Sequence, residues 1–200
     1  KRTYYYENGQ ISVEENYKDG KKDGKETWYY ENGQIEWERN YKDRKKDGKW
    51  TEYYENGQIK MERNFKDGER DGKWTYYYEN GQIKTEQIRD YEGGESGKWT
   101  YYYENGQKSS GGNVKNGEKN GIWTFWYENG QKKSVIPFNN DKNNGLVTVW
   151  SENEKKIEET NWENGKPHGL SIHYHENGQK KGEVTYKDGE QEKETTWWSN

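Results

Sequence analysis

Cysteine is absent from the 200 residues, methionine occurs once, proline twice and phenylalanine three times. Without cysteine the chain holds neither disulfides nor thiolate metal sites. Only 26% of the residues are hydrophobic, far below the about 45–50% of an ordinary globular domain even when glycine is added. A thick core of Leu, Ile and Val is therefore excluded. No apolar run approaches the about 18 residues of a membrane span. Neither sign of charge dominates, since 33 basic and 37 acidic residues are interspersed for a formal net charge of −4. With no basic stripe and no like-charge block, nucleic acid is not an expected partner.

What is abundant is aromatic: 19 Tyr and 11 Trp raise the aromatic share to 16%. Disordered chains are poor in such residues, so the low hydropathy does not mean disorder. Tyr and Trp supply the buried area here, each able to keep a polar tip wet.

Those aromatics repeat. The tripeptide ENG recurs at Glu7, Glu31, Glu55, Glu79, Glu104, Glu128 and Glu176, with a degenerate ENE at Glu152, at spacings of 24 residues and once 25. A second marker, DGxxDG, lies between, as at Asp19–Gly24 and Asp67–Gly72. The units run approximately 1–23, 24–47, 48–71, 72–96, 97–120, 121–144, 145–168 and 169–192, with a partial unit 193–200. Asn-Gly between two aromatic runs is a strong hairpin signal, because both central residues of a type I′ turn need positive φ. A two-residue turn at Asn56-Gly57 sets Tyr54 opposite Ile59, Glu52 opposite Met61 and Trp50 opposite Arg63, and DGxxDG then makes a wider turn into the next hairpin. No segment has helical spacing. The expected fold is all-β: one domain over 1–200, an elongated, open, twisted single-layer antiparallel meander of about sixteen strands built from tandem hairpins.

Side chains two apart share a face. Trp50, Tyr54, Ile59, Met61 and Phe65 thus form a packed face. Thr51, Tyr53, Lys60, Glu62 and Asn64 form the other, polar apart from one aromatic row: Tyr29, Tyr53, Tyr77, Tyr102, Trp126 and Trp150, continued by Tyr5, Tyr174 and Trp198. Trp50, Trp74, Trp99 and Trp123 should be more buried than Thr51, Thr75, Thr100 and Thr124. The halves differ, since Ile11, Ile35, Ile59 and Ile83 give way to Lys108, Lys132, Lys156 and Lys180, while Val147, Ser151, Ser171 and His175 replace rings. A thinner packed face is expected there.

The candidate partner-binding residues are Trp50, Tyr54, Trp74, Tyr78, Trp99, Tyr103 and Trp123, since Trp and Tyr dominate binding energy at interfaces. The polar-face row suits a peptide or glycan, or simply packs well on a pleated surface. His173 and His175 stand two apart, as metal ligands can, but one flat ring replacing another explains them as well. Asp pairs such as Asp19 with Asp23 lack calcium-loop spacing and are what tight turns use anyway. No metal, cofactor or catalytic residue is expected.

The combination G-x-W-x-x-Y-Y, E-N-G-Q and K-D-G resembles the MORN-repeat variant family, clearly across residues 1–151 and more loosely to 192. The resemblance implies a twisted sheet of hairpins that works by binding. It implies a bacterial origin, a non-enzymatic protein-binding scaffold and an antitoxin-like role, with an exported cell-surface module binding host protein or glycan as the alternative. Runs such as Trp74 to Lys84 also resemble choline- and glucan-binding hairpin repeats, which place a second Trp after the turn, as only Trp37 does here. The expected partner is a protein, a toxin or a surface protein. A glycan, or a second copy through the aromatic face, is also open. The chain opens at Lys1 partway into a repeat, leaving room for an upstream signal peptide or further repeats. Membrane association is expected only through such a segment. Localisation stays open between cytoplasm and cell surface, with export favoured.

Overall fold

The computed structural model describes residues 1–89 and 96–192 and the strand Thr196–Trp197. The chain forms two compact units, Lys1–Gly93 and Gly94–Asn200. The first holds β1 (Arg2–Tyr5), β2 (Ile11–Lys18), β3 (Lys21–Tyr29), β4 (Ile35–Lys42), β5 (Lys45–Lys46), β6 (Gly48–Tyr53), β7 (Ile59–Lys66), β8 (Glu69–Tyr77) and β9 (Ile83–Arg89). The second holds β10 (Gly97–Tyr102), β11 (Lys108–Lys115), β12 (Glu118–Trp126), β13 (Lys132–Asn139), β14 (Lys142–Asn143), β15 (Gly145–Trp150), β16 (Lys156–Glu163), β17 (Lys166–Tyr174), β18 (Lys180–Lys187), β19 (Glu190–Gln191) and β20 (Thr196–Trp197). Within each unit successive strands pair antiparallel in an open meander, and no helix occurs among the described residues. The all-β hairpin architecture matches the sequence reading. Trp198 lies outside the described residues.

The two turns exchange chemistry relative to expectation. At ENG, Tyr54 N–H donates to Gln58 O at 2.8 Å and Gly57 N–H to Tyr54 O at 2.9 Å. That is a three-residue loop, a type I turn closed by a left-handed glycine. Gly57 has φ +81°, whereas Asn56 is not among the positive-φ residues. The two-residue type I′ turn lies instead at the K-D-G marker, where Asp19 and Gly20 have φ of 49° and 74°, and Asp67 and Gly68 of 53° and 96°.

The loop error reaches two neighbouring positions and then vanishes. Tyr53, not Tyr54, pairs with Ile59, and a one-residue bulge at Lys60 restores Glu52 opposite Met61 and Trp50 opposite Arg63. A bulged residue shifts the pairing by one, cancelling the odd loop. Ile59 therefore shares a face with Tyr53. Lys60 leaves that face and meets Glu52 at 2.7 Å, with its ammonium 5.8 Å from the Tyr54 ring.

Both hairpin ends are stapled to the next repeat. Asn56 Oδ1 accepts from Gln58 N–H at 2.9 Å, and its amide reaches Glu79 O at 3.4 Å. Tyr54 donates its hydroxyl to Tyr77 O at 2.8 Å, Tyr30 to Tyr53 O at 2.7 Å, Tyr103 to Trp126 O at 2.8 Å and Tyr127 to Trp150 O at 2.9 Å. At the other end the second aspartate of DGxxDG accepts from the following turn, Asp23 from Asp43 N–H at 3.2 Å. That employment accounts for the aspartate pairs. The recurrent polar residues satisfy backbone groups that a single sheet cannot pair by its strands alone.

Candidate interaction surface

On the packed face of the first unit the rings stack across strands. Tyr41 and Trp50 lie 5.4 Å apart, Trp50 and Phe65 4.9 Å, and Phe65 and Trp74 5.8 Å, all tilted. Among the described residues of this unit no second layer covers the sheet, yet Trp50 and Trp74 are only 8% and 3% exposed. Cations cover them. Arg63 and Arg70 stand 4.5 and 4.4 Å from the Trp74 ring centre. Lys46 stands 4.7 Å and Arg39 5.2 Å from that of Trp50. The aliphatic stems shed water while the charged heads meet the ring faces. Trp50 also donates its indole N–H to Asn40 O at 3.0 Å.

The stack ends at Glu26, which holds the position of Trp50 one repeat earlier and is 1% exposed. Lys22 pairs with Glu26 at 2.5 Å and with Glu15 at 2.9 Å. Burial alone would lower the Lys22 pKa, but the hydrogen bonds to Glu26 and Glu15 outweigh it and drive it well above the usual lysine value. The pair is a charged plug that closes the ring stack, a role for which Glu26 gave no sequence signal beyond displacing the tryptophan.

The second unit builds the same face differently. Arg63 corresponds to Gly112, and a Cβ there would come within 2.5 Å of the Trp123 ring. The ring lies on bare backbone, 1% exposed, with its indole N–H on Asn113 O at 2.8 Å and Lys119 5.1 Å from its centre. Trp99 contacts Tyr101 at 6.5 Å, and Tyr101 reaches Trp123 at 6.3 Å. Further along, Val147 and Ser171 replace the ring, and Ser171 is joined to Thr160 at 2.6 Å. The packed face thins after residue 145, as the sequence suggested.

The second face of the first unit is a ladder rather than an open polar surface. Glu38 accepts from Lys25 and, at 3.3 Å, from the Tyr53 hydroxyl. Glu62 accepts from Lys49 and, at 3.1 Å, from Tyr77. Glu14 takes Lys1 at 2.7 Å and Tyr29 at 3.5 Å. Burial first, and then the facing carboxylates, push the Tyr53 and Tyr77 pKa values up. The threonines lie walled in beneath. The expected burial contrast holds for two of the four pairs, Trp74 at 3% exposed against 6% for Thr75 and Trp123 at 1% against half-buried Thr124. It fails for the other two: Thr51 is 5% exposed against 8% for Trp50, and Trp99 and Thr100 are both half-buried. The register at Trp50 and Thr51 was right, but the ladder covers its face as the cations cover theirs.

Tyr29, Tyr53 and Tyr77 are thus tied into ladder bonds, as is Tyr174, whose hydroxyl donates to Glu159 at 2.5 Å. Trp126 and Trp150 are half-buried, and Tyr102 stands in line with them on β10. Tyr54 and Tyr103 serve as staples, and Tyr78 closes the same turn through Gln82 O at 2.8 Å. His175 falls in the turn after β17, in the place of Tyr54, while His173 pairs with Glu158 on the strand. What the sequence reading passed over is a row on the second face of the second unit. Ile122, Leu146 and Leu170 are 57%, 46% and 39% exposed, and their signal was the loss of lysine before the ring position.

The fold and its faces define a tandem β-hairpin repeat protein whose two sides carry periodic side chains. The chain belongs to the MORN repeat variant family, whose model matches residues 1–19, 22–43, 46–67, 70–88, 95–116, 119–140 and 167–188. The unmatched stretch 141–166 holds the ENE turn. MORN repeats are non-enzymatic modules that commonly bind proteins or membranes. No curated protein matches the chain significantly. A solved chain titled "Crystal Structure of TcdB2-TccC3-TEV" is similar at 9% identity and a TM-score of 0.20, the match covering 92% of this chain and 13% of that one. No helix among the described residues is long and apolar enough to cross a membrane.

Proposed function

We propose that the protein is a non-enzymatic scaffold whose repeats bind a protein partner, with an antitoxin-like neutralising role as the first reading. The observation that carries it is the run of seven matched repeats from a family of binding modules. The recurrent tyrosines, asparagines and carboxylates are engaged in staples and ladders, which favours a rigid binding sheet over acid–base chemistry. At 8%, 3% and 1% exposure, Trp50, Trp74 and Trp123 support the surface more than they can meet a partner. In this reading Trp99, Tyr54, Tyr78 and Tyr103 belong to the same supporting framework. Covered rings also leave little apolar area for a second copy on the packed face.

An exported module that binds host protein or glycan is the second reading. It is favoured by Trp28, which is 37% exposed, faces Trp37 across the strand pair and lies near Arg39. Flat exposed rings of this kind suit a sugar ring. Affinity capture with the full-length protein, followed by reconstitution with the purified captured protein, tests the proposal. A stoichiometric complex is expected. Binding confined to a glycan array and lost in Trp28→Ala would replace the first reading by the second.

A further inference from the structure

The residue before the ring position is Lys25, Lys49 or Lys73 in the first unit, each paired with the glutamate of the following strand. In the second unit Lys98 keeps the lysine, and then Ile122, Leu146 and Leu170 take over. They stand on β12, β15 and β17, opposite Pro137, Asn161 and Thr185. Successive members are two strands apart, about 9.6 Å at roughly 4.8 Å per strand. The glutamate of the following strand becomes Gly111 after Lys98 and Val135 after Ile122, while Glu159 and Glu183 remain after Leu146 and Leu170.

Cations arrive on the same face as those carboxylates leave. Lys108 lies 6.0 Å from the Trp126 ring centre, and Lys132 pairs directly with Trp126. Lys156 and Lys180 retain Glu159 and Glu183, at 2.7 and 3.5 Å. Among the described residues Lys98, Lys108 and Lys132 are exposed and make no salt bridge. The face is therefore an exposed aliphatic row bordered by three uncompensated positive charges. Its counterpart in the first unit is a neutral ladder.

An exposed apolar row, interrupted by Asn161 between Leu146 and Leu170, marks an interaction site, and the charge selects the occupant. A second copy docked through the same patch would set these lysines against themselves, because a two-fold contact is self-complementary. We infer that the second face of the second unit binds an acidic protein segment carrying aliphatic side chains about 10 Å apart, the spacing of alternate strands. This rests on the scaffold reading and assigns it a face and a partner chemistry.

The test is selection from a phage-displayed random peptide library on the full chain and on a triple variant, Ile122→Lys, Leu146→Lys and Leu170→Lys. The variant restores the residue that the first unit carries at these exposed positions, so the fold, checked by circular dichroism, is retained. The full chain should enrich peptides of net negative charge with aliphatic residues, and their affinity should fall about tenfold or more in the triple variant, as for a lost buried anchor. A second variant, Lys108→Glu with Lys132→Glu, should weaken them with a reduced salt dependence. Enriched peptides that bind the triple variant equally well would overturn this face while leaving the scaffold reading intact. Absence of enrichment overturns the inference as well. Uptake by phosphatidylserine–phosphatidylcholine vesicles in place of peptides would reassign the face to a membrane. A dimer in sedimentation that the triple variant disperses would reassign it to a second copy.

Discussion

The two units share a backbone and differ in how they cover it. In the first, Trp50 and Trp74 are each held between two cationic side chains, and the opposite face is closed by lysine–glutamate–tyrosine bonds. In the second, Trp123 rests on Gly112 and the rings then yield to Val147 and Ser171, while lysine and glutamate on the other face yield to Ile122 and Val135. The turns hardly change across this divide. A single sheet needs its hairpin ends stapled for backbone reasons, whereas what lies on its faces is free to vary as long as the rings are kept from water.

The sharpest test of that contrast is removal of the ring itself. Trp74→Ala and Trp123→Ala should each cost about 3–5 kcal/mol, with protection from hydrogen exchange lost in the unit concerned. Trp123→Ala should cost more, since flexible arginines can settle into the space beside residue 74 but backbone glycine cannot fill that beside residue 123. Equal losses would mean that the cations do not adapt. Trp74→Ala with unchanged melting and lost partner affinity would make that ring an anchor after all.

Adding a methyl group at the contact separates the units next. Gly112→Ala places a Cβ against the Trp123 ring and should destabilise the second unit by about 1–3 kcal/mol through overpacking. Arg63→Ala, at the matching position of the first unit, should cost about 1 kcal/mol, the worth of a partly desolvated cation–π contact. Denaturant melts of both variants would show whether the order is as stated.

The seventh repeat offers a gain rather than a loss. Glu154 holds the glycine position of its turn with φ +57°, while Glu154 N–H still donates to Ser151 O at 3.0 Å. Glu154→Gly should stabilise the second unit by about 1 kcal/mol, the cost of a left-handed non-glycine residue. A neutral or negative effect would mean that this turn is strained elsewhere.

The smallest effect is electrostatic. The hydrogen bond to Glu159, with burial second, pushes the Tyr174 pKa from 10.0 up to about 12. Because the folded value exceeds the unfolded one, this contribution is complete below pH 10 and fades as the pH rises toward 12. Ultraviolet titration should show a late-ionising tyrosine component that is lost in Tyr174→Phe and shifts down in Glu159→Gln. Tyr53 and Tyr77, raised mainly by burial, should respond less when Glu38 or Glu62 is changed to Gln.

The ENG period, the hairpins and the pairing of Trp50 with Arg63 were all legible from the text of the chain. The turn type at Asn56-Gly57 was not. A three-residue loop followed by a one-residue bulge shifts the pairing as far as a two-residue loop does, so the hydrophobic pattern beyond Met61 is the same for both. Only Tyr54, Ile59 and Lys60, next to the loop, report the difference. The apolar row of Ile122, Leu146 and Leu170 was present in the same text. It was hidden because attention to rings passes over the residue before them.

By itself the sequence determined an antiparallel repeat of hairpins, since local turn chemistry and a strict period of 24 or 25 residues leave no other way to pair the strands. Which side chains are buried was decided only in the tertiary structure. Burial in a single sheet comes from long side chains reaching along their own strand, Arg70 over Trp74 and Lys119 beside Trp123, or across from a neighbouring strand, as Tyr53 on Glu38. Those contacts depend on the reach and rotamer of long side chains, which alternation along one strand does not encode.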